Sequence, residues 1–193
     1  MKKIAVLFTI IGAVLLGSGL QAADTGTPVA EQPKYTAGDN WVFMPTNEAD
    51  SDAEATKAFH VTFVSQDEAG YNFTKDGVPY KRDKFLSPVT DKAKGFPGPV
   101  LQFPFKVGSY WSQDYEGGKV GNPKRMTAKY SVEAYEQITV PAGTFWAYRI
   151  EVSRVLASKR EGGVYGNSTY WYAPAAKNII KSRTVVLKEY KIQ

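Results

Sequence analysis

The 193-residue chain contains no cysteine, which excludes disulfides, thiolate metal sites, a cysteine nucleophile and the lipidated cysteine of a bacterial lipoprotein. Histidine is almost as scarce. His60 is the single copy, so a histidine-based metal cluster cannot be assembled, and a Ser-His-Asp triad would have to use this residue. No Gly-x-Ser-x-Gly elbow follows residue 22, and no pair marks serine chemistry with a lysine base. A glycine-rich loop running into lysine, the cradle for phosphate, is also absent. Asp50, Asp52 and Glu54 alternate like the start of a calcium loop. The positions that should hold glycine and glutamate are Ala55 and Val61, so a solvated acidic loop is the expected structure. No metal and no cofactor is expected, and the chain reads as a non-enzyme.

Charge of one sign is not in large excess either. Formal net charge is +5, and Lys2 and Lys3 account for two of those charges. The basic residues come in small groups near turns: Lys81, Arg82 and Lys84; Lys92 and Lys94; Lys124 and Arg125; Lys159 and Arg160; Lys181 and Arg183. Balancing acids make solvation the expected role of these groups rather than nucleic-acid binding.

What the sequence does carry begins with an address. Met1-Lys2-Lys3, an apolar run over residues 4–16 and the small residues up to Ala23 have the three regions of a secretory signal peptide, with cleavage expected after Ala22. The run is shorter than the ~20 residues that span a bilayer, and no later stretch could span one as a helix. No stable membrane insertion is expected once residues 1–22 are removed. The destination is the periplasm or the medium. Residues 23–33 read as a flexible tether, and residues 34–193 as a single domain.

Aromatic residues make up 13% of the chain, with 17 glycines, 11 prolines and only three methionines. That balance favours strands and turns over packed helices. Residues 58–66 alternate, with Phe59, Val61 and Phe63 on one face. Asp76-Gly77 is a hairpin signal between residues 71–74 and 78–85. Residues 87–99 hold too many breakers for a regular element, and residues 117–123 form another turn cluster. In Ile138-Thr139-Val140-Pro141-Ala142-Gly143-Thr144-Phe145-Trp146, the Pro-Ala-Gly-Thr stretch is a sharp corner between two long strands. Pro141 lacks an N–H, and Gly143 tolerates a positive φ. Beyond the corner, Trp146, Tyr148, Ile150 and Val152 share one apolar face.

Two patterns recur. Gly38-Asp39-Asn40-Trp41 matches Gly108-Ser109-Tyr110-Trp111 at an offset of 70, and Ala69-Gly70-Tyr71-Asn72-Phe73 resembles Ala142-Gly143-Thr144-Phe145 at an offset of 73. Chance recurrence and duplication both account for them. A duplication implies two similar half-sheets and therefore strong curvature.

The turn Val140-Pro141-Ala142-Gly143-Thr144-Phe145, the run Tyr170-Trp171-Tyr172-Ala173-Pro174 and the Gly108-x-x-Trp111 element resemble, in the same order, a family of exported bacterial domains of unknown function labelled TapB-like. The resemblance covers residues 108–183 well and the N-terminal half loosely. It implies a highly curved antiparallel sheet similar to the half-barrels of periplasmic lipoprotein carriers, with no catalytic residue. Where the family has a glycine-containing turn this chain reads Ala175-Ala176-Lys177-Asn178, which assigns the left-handed position to Asn178.

The expected molecule is thus mainly β, about ten strands in a curved antiparallel sheet forming an open or closed barrel. Two functions fit. One is a binding protein holding an apolar or amphipathic ligand on an aromatic concave face, with Trp111, Trp146, Tyr148 and Trp171 as candidate contacts. The other is a structural or interaction module with an envelope protein as partner. Aromatic rings of ~150 to 250 Å² each also stabilise a closed core, so either a filled interior or a pocket accounts for them.

Overall fold

Alternation of apolar and polar residues, broken by glycine-bearing turns, gives a structure made almost wholly of strands. The computed structural model describes residues 26–46, 57–89, 100–119, 122–156 and 164–193. The expected signal peptide, the stretch with Asp50, Asp52 and Glu54, and residues 90–99 lie outside the described residues. The strands are β1 (Asn40–Pro45), β2 (Phe59–Asp67), β3 (Gly70–Lys75), β4 (Val78–Arg82), β5 (Pro88–Val89), β6 (Tyr110–Lys119), β7 (Asn122–Val140), β8 (Gly143–Leu156), β9 (Val164–Ala173), β10 (Asn178–Lys181) and β11 (Val185–Lys191). Among the described residues no helix is long and apolar enough to cross a membrane.

All eleven strands join one antiparallel sheet in the order β5-β4-β3-β2-β1-β11-β10-β9-β8-β7-β6, which does not close. It is strongly curved. Tyr80 of β4 and Tyr170 of β9 line one cavity although six strand spacings separate them in the sheet, about 29 Å if it were flat. The open side is stopped by chain rather than by a strand pair. Leu101 N–H donates to Phe85 C=O, Trp111 Nε1 donates to Val100 C=O at 2.9 Å, and Phe105 exchanges both backbone hydrogen bonds with Ala30. Residues 101–105 therefore carry a single bridge and cross the opening.

The repeated pattern is present in three dimensions. Gly38 and Gly108 have φ of 92° and 85°. Their N–H groups donate to Phe63 C=O and Val132 C=O, and the carbonyls of Asp39 and Ser109 accept from the same two residues. Thr36 N–H donates to Asp39 Oδ2 and Lys106 N–H to Ser109 Oγ, both at 3.0 Å. A bulge follows Phe63 in β2 and Val132 in β7. Tyr35 packs 5.8 Å from Trp41, and Phe105, at the equivalent position, 5.8 Å from Trp111. The hairpin glycines recur as well, with φ of 137° at Gly70 and 131° at Gly143. The second hairpin is longer, so the register that pairs Phe63 with Phe73 pairs Val132 with Ile150 rather than with Trp146.

Three expectations are corrected. The segment from Ala30 to Pro33, within the expected tether, is docked: Ala30 is fully buried between its two hydrogen bonds to Phe105, and Pro28 C=O accepts from Tyr148 Oη at 2.5 Å. The expected turn at residues 117–123 is mostly strand, because β6 and β7 pair through to Lys119 and Asn122. The left-handed residue after the 3-10 turn Pro174–Ala176 is Lys177, at φ 53°, not Asn178. Asn178 is buried instead, and its Oδ1 accepts the N–H of Ile179.

Candidate ligand-binding site

The largest cavity described, about 700 Å³, opens on the concave face at the end where the N-terminal strands stop. Period-two alternation places its wall. Phe59 and Val61 come from β2, Tyr80 and Arg82 from β4, Phe43 from β1 and Tyr170 from β9, while Ile179 and Val185 close the far side. The tight turn at Asp76 and Gly77, with φ of 49° and 82°, sets Val78 beside Lys75. Val78, 67% exposed, marks the rim.

The rings are ordered in pairs. Phe43 stacks on Phe59 at 5.5 Å, and Phe73 on Tyr80 at 5.5 Å. Two cations lie against them. Lys75 Nζ sits 4.3 Å from the Phe59 ring centre, and the Arg82 guanidinium 5.6 Å from both Phe73 and Tyr80. Burial pushes the Tyr80 hydroxyl above its ordinary pKa, against the opposing pull of the adjacent Arg82 charge. Polar atoms are also present: Asp76, Asn178, Ser182 and Thr184 contribute to the lining. The site is therefore apolar and aromatic with a few polar groups, at a volume typical of small-ligand pockets of roughly 300 to 1,000 Å³.

The four candidate aromatics named from sequence lie elsewhere. Trp111 is buried, stacked on Tyr130 at 5.3 Å with planes 8° apart. Tyr148 is fully buried between Phe105 and Tyr135, and burial pushes its hydroxyl up to about 12. Trp171 projects from the opposite face of the sheet, where its Nε1 donates to Glu136 at 3.0 Å and Lys181 lies over its ring. Trp146, 51% exposed, stacks on Tyr135 and lines a separate cleft of about 550 Å³ with Phe145 and Tyr190. The sequence places Tyr148 and Trp146 on one face correctly, but Phe105 and Tyr135 fill the space in front of Tyr148. Tyr80 and Arg82, which line the cavity, are not among the candidates read from sequence. Their signal was legible: Val78, Tyr80 and Arg82 alternate on the strand that Asp76-Gly77 folds back beside the apolar face of Phe59 and Val61.

The sequence matches no family model, and no curated protein matches it. Solved structures do resemble this chain. A candidate lipoprotein from Parabacteroides distasonis ATCC 8503 is 13% identical, with a TM-score of 0.47 over 85% of this chain and 100% of that one. A candidate exported protein with YmcC-like fold from Bacteroides fragilis NCTC 9343 is 14% identical, with a TM-score of 0.43 over 84% and 99%. The hypothetical lipoprotein YmcC from Escherichia coli is 10% identical, with a TM-score of 0.46 over 81% and 86%.

Proposed function

We propose that this is an exported, non-catalytic binding protein of the bacterial envelope that holds an amphipathic ligand, with an acyl chain as its apolar part, in the concave cavity. The observation that carries the reading is a cavity of about 700 Å³ walled by Phe43, Phe59, Val61, Tyr80 and Tyr170. Rings and branched side chains that could have collapsed on one another instead border open space, which suits an acyl chain. Export is supported by the signal-like residues 1–22.

The test is titration of the purified protein with the uncharged fluorescent probe N-phenyl-1-naphthylamine. A saturable rise in emission, weakened by Phe59→Ala and by Tyr80→Ala in variants that keep the far-UV spectrum, is the expected result. No emission change at any protein concentration would exclude the reading.

A further inference from the structure

We propose that the ligand is an anionic amphiphile, a carboxylate or phosphate group on a single acyl chain, and that Arg82 is the residue that recognises its charge. The inference rests on the reading of the cavity as a ligand site and adds the chemistry of the head group.

Arg82 differs from the cations of the sheet that are paired with carboxylates. Lys81, its neighbour on β4, points the other way and pairs with Asp67 at 2.8 Å. Arg149 pairs with Glu136 and Glu151, Arg125 with Asp114, and Lys177 with Asp39. Alternation turns Arg82 to the concave face, where it lines the cavity against Phe73 and Tyr80. Among the described residues no carboxylate forms an ion pair with it, and its Nε is buried without a hydrogen-bond partner. A buried guanidinium donor left unmatched is costly, because it has lost water and gained nothing in exchange.

Asp83, next in the chain, and Asp76, on the cavity lining, each accept backbone hydrogen bonds. The donors are the N–H groups of Phe85 and Ser87 for Asp83 Oδ1, and His60 N–H for Asp76 Oδ1 at the β3–β4 turn. Lys75 at the rim adds a second positive charge over Phe59. The guanidinium fork suits the paired oxygens of a carboxylate or phosphate, and the surrounding rings suit a chain. A neutral apolar ligand would leave the guanidinium on the cavity wall without a counter-charge. An anion within the same walls would supply one.

The experiment is displacement of cis-parinaric acid from the purified full-length chain, followed by fluorescence, with palmitate, palmitoyl lysophosphatidate and hexadecanol as competitors. The expected result is that at least one of the two anions displaces the probe about 10- to 100-fold better than the alcohol, the span of a charge-assisted hydrogen bond. Whichever anion is stronger identifies the head group. Arg82→Met should bring that anion to the level of hexadecanol while the alcohol is unchanged, and Lys75→Met should have a smaller effect that vanishes in high salt. If Arg82→Met does not fold, the wild-type ratio of anion to alcohol still decides. Equal displacement by all three would overturn the charge selectivity and leave the cavity reading standing. Failure of the probe and of every competitor to bind would overturn both.

Discussion

The two halves of the sheet start from the same motif and end with opposite interiors. In the N-terminal half the turn at Gly38 leads into β1 and β2, strands of six and nine residues, and the concave face opens beyond Phe43 and Phe59. In the C-terminal half the turn at Gly108 leads into β6 and β7, of ten and nineteen residues. These continue past Gln113 and Ala128, the positions equivalent to Phe43 and Phe59. Phe105, Tyr148 and Tyr172 pack together with Ala30 toward the other end of the sheet, beside Trp111. Repeating a backbone motif repeated the turn, the bulge and the buried tryptophan, but not the cavity. Whether a concave face is a core or a site depends on strand length and on what crosses in front of it.

The largest effects should fall where the halves are alike. Trp41 and Trp111 are both buried, and each donates its Nε1 to a backbone carbonyl, Ala176 or Val100. Trp41→Ala and Trp111→Ala should each cost about 3 to 5 kcal/mol in urea unfolding. A loss under 1 kcal/mol at either one would break the equivalence.

The hairpin glycines should separate the halves. A Cβ on Gly70 would collide with the backbone of Arg82 and Asp83, whereas at Gly143 its nearest neighbour is Phe145 at 3.9 Å. Both have a strained φ for an L residue, so Gly143→Ala should cost about 1 to 2 kcal/mol. Gly70→Ala should cost more and also lower ligand affinity, because it shifts the strand that carries Arg82. Equal losses in the two melts would show that the close approach at Gly70 relaxes freely.

Asp39 and its counterpart Ser109 sharpen the comparison through pH. Burial raises the Asp39 pKa, but the Lys177 side chain and the N–H groups of Gln193 and Thr36 outweigh it, so the carboxyl lies below its ordinary value. The folded state therefore gains stability from Asp39 above the unfolded pKa of about 3.9, and loses it as pH falls through the lower, folded value. Asp39→Asn should cost about 1 to 3 kcal/mol at pH 7 and flatten the acid limb of the stability curve. Ser109→Ala should leave that limb unchanged. An acid limb equally steep in Asp39→Asn would assign it to other carboxylates.

The smallest effect is expected at Trp146, half exposed outside the cavity. Trp146→Ala should change stability by under about 1 kcal/mol and leave probe binding intact. Loss of probe binding in this variant would move the site to the second cleft.

Much of this architecture was legible in residue order. Alternation located β2 and β8, Asp76-Gly77 and Pro-Ala-Gly-Thr located two hairpins, and the offset of 70 located the repeat, because each depends on neighbours along the chain. The candidate site was legible only in part. Phe59 and Val61 could be assigned to an apolar face, but no local rule told that face from the equally apolar one of Tyr148 and Ile150.

The sequence by itself determined an antiparallel β protein with a repeated turn, since backbone sterics and period-two burial are local properties. The tertiary structure decided which aromatics are core and which are wall. Phe105 and Ala30, 75 residues apart, bridge across the C-terminal half, and among the described residues no equivalent bridge covers Phe43 and Phe59. Contacts at that separation are set by how the sheet curves and where its strands end, so the cavity, with Arg82 on its wall, follows from the fold as a whole.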